Sequence, residues 1–335
     1  MESTGILSAI GNTPLIRLGS SCSALPFNVF AKLESLNPGG STKDRPAFHI
    51  IRQALDSRAL KRGSVVIESS SGNMGIGLAQ VCTCFGLRFV CVVDAKTTAQ
   101  NVRLLKAYGA EVHVVTEPDP ETGEYLPARI RAVRELLAST ENSFWADQYS
   151  NEANAAAHHQ TMREIADALG GEVDYLFCAT STCGTLRGCS EYVREQGLRT
   201  KVIGVDAVGS VIFGGTKGAR LLPGHGAAVR PQLFREDLAD QCVHVTDLDC
   251  VVGCRRLARR EAILAGGSSG GVFAAVERLK DEIPPGANCV LIFPDRGERY
   301  LDTIFSDEWV GAHFGDVAHL WEGDPEARPS LAPAC

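Results

Sequence analysis

Short apolar runs alternate with helix-length amphipathic runs through most of this chain. Residues 65–68 read as a buried strand, 74–85 as a helix, 87–94 as a strand, 98–108 as a helix and 112–116 as a strand. Residues 175–179, 201–206 and 289–293 continue the strands, with helical stretches between them. This alternation predicts an α/β fold in which a mostly parallel sheet is covered by helices. Ligands in such folds sit at the carboxyl ends of strands. Segments that follow a strand and open a helix are therefore where chemistry is expected.

The length of 335 residues suits about two domains and a large buried core. The longest apolar runs, such as 89–93, are far too short to cross a bilayer, so no membrane partner is expected. Residues 1–15 carry no basic region followed by an apolar stretch, so no secretory leader is read there. A formal charge of -7 and the lack of any basic run argue against a nucleic-acid partner. Cys91, Cys178 and Cys289 lie inside apolar runs, as buried free thiols do. The spacings Cys82/Cys84 and Cys250/Cys254 match no zinc site, so no metal is assigned. Reduced thiols without a leader point to the cytoplasm. The stretch 117–124 reads as a surface loop, and 323–335 as a poorly ordered tail.

Five segments can carry chemistry. In Asn37-Pro38-Gly39-Gly40-Ser41-Thr42-Lys43-Asp44-Arg45 a turn runs into a helix. The ordinary reading of Lys43 is a solvated side chain beside an N-cap. The functional one is an amine aimed into a cleft, able to form an imine and act as a base. In Glu68-Ser69-Ser70-Ser71-Gly72-Asn73-Met74-Gly75-Ile76-Gly77, small residues expose backbone amides at a helix start, where an anion is favoured. A dinucleotide fingerprint is a rival reading, because Asp94 ends the next strand. The glycine order is wrong for it. Ala179-Thr180-Ser181-Thr182-Cys183-Gly184-Thr185 suits a phosphate, or is only a capping loop. Gly266-Gly267-Ser268-Ser269-Gly270-Gly271 opens another helix. Pro294-Asp295-Arg296-Gly297-Glu298-Arg299-Tyr300, taken alone, reads as a loop with internal ion pairs. His158-His159 reads as surface or helix packing.

Together and in this order, the segments resemble the cysteine synthase family, the fold-type II pyridoxal-phosphate enzymes. The resemblance runs over about residues 5–312, from Gly11-Asn12-Thr13-Pro14-Leu15 to Gly297-Glu298-Arg299-Tyr300-Leu301. It implies two α/β domains with mostly parallel sheets: a larger cofactor-binding unit, 1–45 with 150–312, and a smaller mobile substrate-binding unit, 46–149. A tail, 313–335, follows, and a homodimer is implied. Lys43 is implied as the lysine that binds pyridoxal 5'-phosphate covalently and acts as the catalytic base. Asn73 would face the cofactor's phenolic oxygen and Ser268 its pyridine nitrogen. Ser181, Thr182, Cys183, Gly184 and Thr185 would form the phosphate loop, and Ser70, Ser71, Gly72 and Asn73 would bind the substrate carboxylate. The family loop is usually Gly-Thr-Gly-Gly-Thr, so Ser181 and Cys183 depart from it.

Further stretches resemble one branch of that family: Cys91-Val92-Val93-Asp94, Gly123-Glu124-Tyr125-Leu126 with Arg129, Asp147-Gln148-Tyr149, and Asp206-Ala207-Val208-Gly209-Ser210-Val211-Ile212-Phe213-Gly214. That branch condenses O-phospho-L-serine with L-glutamate on the way to 2,3-diaminopropionate and siderophores. There, residues matching Arg129, Tyr149 and Ser181 handle the amino-acid substrates. A planar guanidinium suits a carboxylate, and a solvated helix residue is the ordinary reading of Arg129. The alternatives are a cysteine or cystathionine synthase with a sulfur nucleophile and, from another class, a nicotinamide-dependent oxidoreductase or an inert binding relative.

Overall fold

The computed structural model describes residues 5–322. Its strands are β1 (Leu15–Arg17), β2 (Asn28–Leu33), β3 (Val65–Ser69), β4 (Arg88–Asp94), β5 (Glu111–Val115), β6 (Ser143–Trp145), β7 (Tyr175–Ala179), β8 (Lys201–Ala207), β9 (Gln241–Val245) and β10 (Asn288–Phe293). They form two sheets. One has six strands in the order β1-β2-β10-β7-β8-β9, and the other has four in the order β5-β4-β3-β6. Every pairing is parallel except β1 with β2. The six-stranded sheet joins the two ends of the sequence: β2 lies beside β10 with Phe30 opposite Val290.

The helices are α1 (Asp44–Asp56), α2 (Asn73–Phe85), α3 (Ala99–Ala107), α4 (Tyr125–Ser139), α5 (Glu152–Ala156), α6 (His159–Ala168), α7 (Gly184–Glu195), α8 (Asp247–Glu261), α9 (Gly267–Leu279), α10 (Asp307–Phe314) and α11 (His319–Glu322). Helices cover both faces of each sheet, which is what parallel strands require. On the larger sheet, Phe273 and Val276 of α9 and Trp321 of α11 pack against Phe177 and Phe293. Met162 of α6 and Leu186 of α7 fill the opposite face. On the smaller sheet, Ile50 of α1 and Leu78 of α2 pack against Val66 and Phe89, while Val133 of α4 covers Ile67 and Val92 on the other side. Leu7, in a 3-10 turn at Gly5–Ala9, joins the core of the smaller sheet.

β3 is buried along its whole length, which suits its Val65-Val66-Ile67 run. Burying one such side chain stabilises the fold by roughly 1.5–3 kcal/mol. The 117–124 stretch is a loop, as its prolines and glycine predict. The expected tail at 323–335 lies outside the described residues, whereas α11 before it is packed through Trp321. The described cysteines are all free thiols. Cys84 is exposed, Cys242 half-buried and the others buried.

A buried ionic network fastens α1 to the larger sheet. Arg45 donates from Nε and Nη2 to both carboxylate oxygens of Glu34, each at 2.7 Å. It also reaches Glu164 of α6 from Nη1 at 2.8 Å and Nη2 at 2.7 Å. Lys32 of β2 completes the set, 2.7 Å from Glu164. This fixes Arg45, two residues after Lys43 in the first turn of α1, relative to strand β2.

Candidate active site

Four of the five chemical segments leave the carboxyl ends of strands: 37–45 after β2, 70–73 after β3, 180–185 after β7 and 294–300 after β10; the fifth, 266–271, follows α8 and opens α9. Lys43 stands at the N-cap of α1. Its loop is pinned to the end of β10, because Thr42 N donates to Pro294 O at 2.7 Å and Ser41 bridges Asp295. Gly77 lets α2 approach from the other side, since a Cβ there would sit 3.1 Å from the Lys43 carbonyl oxygen. Burial pushes the Lys43 ammonium below its ordinary range, and Asp295 and Glu34 oppose that shift. An amine held this way releases its proton more readily than one in water.

Asn73 opens α2 and donates from Nδ2 to Asp295 Oδ2 at 2.8 Å. The Ser70 hydroxyl accepts from Gly75 N at 2.9 Å. The amides of Asn73 and Met74 are left with no partner inside the helix, and they point where an anion is favoured. Asn101 ties the loop down, donating from Nδ2 to Ser71 O at 2.9 Å.

The 181–185 loop runs into α7. Cys183 adopts the left-handed conformation, with φ 65°, where glycine is the usual occupant. Asn154 Nδ2 donates to Thr182 Oγ1 at 3.2 Å, and a side chain at Gly184 would collide with Asn154. The buried His158 reaches Thr185 Oγ1 with Nε2 at 3.3 Å and Thr161 Oγ1 with Nδ1 at 3.1 Å. Burial, with Lys43 and Arg45 nearby, holds its imidazole well below the ordinary range, so His158 is neutral. His158 thus packs between helices as the sequence suggests, and it also touches the loop. Sequence reasoning misses that second role, as it misses Asn154.

Ser268 lies half-buried in the first turn of α9. Gly253 of α8 meets the Gly270 backbone, so the two helices pack closely and fix that turn. Gly266 N donates to Asp295 O at 3.1 Å. Asp295 therefore touches the Ser41, Asn73 and Gly266 segments at once. Among the described residues, 294–300 is not the expected loop with internal ion pairs. Arg296 Nε bonds Ser35 O at 2.8 Å, and Arg299 Nη2 bonds Gly39 O at 2.6 Å, so both arginines reach back to the lysine loop.

Arg129 and Tyr149 stand around Glu68. Arg129 is buried on α4 with Nε 3.3 Å from Asp94 Oδ2, so it is not a solvated helix residue. Asp94, on which the dinucleotide reading leaned, is that arginine's partner. Gln148 anchors the backbone beside Tyr149: its N donates to Glu68 Oε2 at 3.2 Å and its Nε2 to Ser69 O at 3.1 Å. Burial raises the Tyr149 hydroxyl above its ordinary range, against the pull of Arg129. Ser181 is half-buried at the mouth of the α7 loop.

Residues 6–295 match the family described as pyridoxal-phosphate dependent enzyme. The chain belongs to that family. The pyridoxal-phosphate enzyme is 46% identical over 311 residues, 92% of each chain, to N-(2-amino-2-carboxyethyl)-L-glutamate synthase of Ralstonia nicotianae. Among solved structures, the O-acetylserine dependent cystathionine beta-synthase from Helicobacter pylori superposes with a TM-score of 0.83 at 30% identity, covering 90% of this chain and 98% of that one. The cysteine synthase from Entamoeba histolytica superposes with a TM-score of 0.83 at 32% identity, covering 90% of each. The fold is that of the fold-type II enzymes, and pyridoxal phosphate is the cofactor. No helix among the described residues is long and apolar enough to cross a membrane.

The residues present fit that cofactor. Thr42 Oγ1, Ser69 Oγ, Ser269 Oγ and Asp295 Oδ1, on the segments around Lys43, are buried without a hydrogen-bond partner among the described residues. A polar ligand bound there would give them partners. The helix start at Gly184 offers the backbone amides that a phosphate needs.

Proposed function

We propose that this enzyme replaces the β-substituent of O-phospho-L-serine with the amine of L-glutamate, giving N-(2-amino-2-carboxyethyl)-L-glutamate and phosphate. The observation that carries the chemistry is the Lys43 amine, kept easy to deprotonate by its burial on a loop pinned to the 294–295 segment. The 46% identity along 92% of the chain supports the choice of substrates. The sulfur-nucleophile reading is the alternative, supported by the likeness to the Entamoeba cysteine synthase.

Bound pyridoxal phosphate supplies an electron sink for the substrate's α-carbon. The chain supplies the rest. Lys43 Nζ would hold the cofactor covalently until the substrate's amine displaces it; the freed amine would then take the proton from the α-carbon as phosphate leaves, and return it after the nucleophile has added. The Ser181, Thr182, Cys183, Gly184 and Thr185 loop holds the cofactor phosphate. Asn73 bonds its phenolic oxygen. Ser268 would offer a hydroxyl, a neutral partner, to the pyridine nitrogen. The Ser70, Ser71, Gly72 and Asn73 loop binds the substrate carboxylate. Arg129, Tyr149 and Ser181 receive the second amino acid.

Residues 46–149 act as the smaller unit that closes over substrate against 1–45 and 150–312, excluding water from the reaction. The working form is a cytoplasmic homodimer. Mass spectrometry of the products from O-phosphoserine, with glutamate or sulfide supplied separately, tests the reading. Cysteine as the only product would install the sulfur reading. Borohydride labelling of a lysine other than Lys43 would remove the assignment of the base.

A further inference from the structure

Asp295 is 2% exposed, and its carboxylate makes no salt bridge among the described residues. A buried carboxylate in that position is costly unless something offsets it. Two neutral donors hold one oxygen: Asn73 Nδ2 and Tyr300 Oη, each 2.8 Å from Oδ2. The other oxygen, Oδ1, is buried with no partner among the described residues, on the side where Gly266 leaves room. The loop that carries Lys43 is stitched to this same residue through the bridge with Ser41.

We propose that Asp295 is a positioning residue with two tasks: it aims the Asn73 amide into the site, and it supplies the counter-charge to the Lys43 nitrogen. An amide nitrogen has two hydrogens. With one held by Asp295, the plane of the Asn73 amide is fixed and the second hydrogen is left for the cofactor. Glu34 also faces Lys43, but both its oxygens are taken by Arg45. The neighbours of Lys43 on α1, Asp44 and Arg45, are fixed by Gly39 and by the glutamates, and His158 is neutral. Around Asp295 itself stand Tyr300 and Arg299, and Arg299 is bonded to Gly39 O. Of the two carboxylates that act on Lys43, Asp295 and Glu34, Asp295 is thus the one without an ion-pair partner among the described residues.

The inference rests on the reading of Lys43 and Asn73 as cofactor-facing residues. Its test is a pH titration of the cofactor's visible absorption in the holoenzyme, together with cofactor affinity by equilibrium dialysis. Asp295→Asn keeps an oxygen for Asn73 and Tyr300 but removes the charge. It should retain cofactor while the pH midpoint of the band falls by about one pH unit, a roughly tenfold loss of proton affinity. Asp295→Ala frees Asn73 as well, and should also weaken cofactor binding by roughly tenfold. Combining it with Asn73→Ala should add little further loss. A midpoint in Asp295→Asn equal to that of the native enzyme overturns the counter-charge. Fully additive losses in the Asn73 and Asp295 double variant overturn the positioning role. If the native protein shows no visible band, or the band survives in Lys43→Ala, the underlying reading of Lys43 fails instead.

Discussion

Arg129 Nε lies 3.3 Å from Asp94 Oδ2, and the two side chains are 10% and 9% exposed. The cation proposed to receive the second substrate's carboxylate therefore already has an anionic partner, and the two must compete. Asp94→Asn should free the guanidinium and lower the KM for glutamate several-fold. Arg129→Ala should strand Asp94 and cost about 3–5 kcal/mol of stability. The double variant should recover stability without recovering glutamate use. Urea denaturation and steady-state kinetics on the three variants check this. An unchanged KM in Asp94→Asn would remove Arg129 from the substrate site.

Glu164 is the acidic hub between Arg45 and Lys32. Burial works against its charge, but hydrogen bonds from Arg45 and Lys32 hold the carboxyl down to about 2. A depressed carboxylate contributes stability that is present above its unfolded pKa, about 4.3, and lost as pH falls through its folded value. Glu164→Gln should be destabilised by about 3 kcal/mol at pH 7, because Lys32 loses its partner. The gap from the native enzyme should shrink between pH 4 and pH 2 in a denaturation series.

Glu68 has the opposite sign. Burial pushes its carboxyl up to about 8, although Ser69 and Gln148 donate backbone hydrogen bonds to it. A raised carboxylate favours the protonated folded form, so its ionisation removes stability as pH rises from the unfolded pKa, about 4.3, to about 8. Glu68→Gln should therefore show a flatter stability profile across that range and gain most on the native enzyme above pH 8. Thermal melts at half-unit steps check it. Parallel profiles would mean that Glu68 is ionised throughout.

Cys183 sits in the left-handed region while its thiol is packed in the core, 2% exposed. Cys183→Gly relieves backbone strain of about 1 kcal/mol and gives up a comparable amount of side-chain burial. Its net effect should be within about 1 kcal/mol. Cys183→Val, branched at Cβ, should cost more than about 2 kcal/mol. Burial also raises this thiol to about 12, so alkylation of the folded protein should be slow.

The strands and helices of the middle of the chain were legible because apolar period reports burial along one element. β3, β4, β7, β8 and β10 fall within two residues of their expected limits. The same period says nothing of which strand pairs with which, so the division into two sheets was not readable from periodicity. β1 and β6 are three residues each, too short for a period to register. The chemical segments stood out because Gly, Ser and Thr between a strand and a helix are unusual locally. Asp295 did not stand out, because its arginine neighbours suggested partners close in sequence. Its real partner on α2, Asn73, is 222 residues away. Asn154 and His158 carry no local signal at all, since their importance lies in the loop they touch.

The pairing of β2 with β10 has a consequence for how the chain is made. During synthesis, residues 28–33 leave the ribosome long before residues 288–293 exist to flank them. Until then β2 has only the three residues of β1 beside it. The smaller sheet, by contrast, is contiguous between β3 and β6 and is complete early. The N-terminal strands therefore wait with an open apolar edge, and the nascent protein depends on its own finished core, or on a chaperone, to keep that edge from pairing with a neighbour.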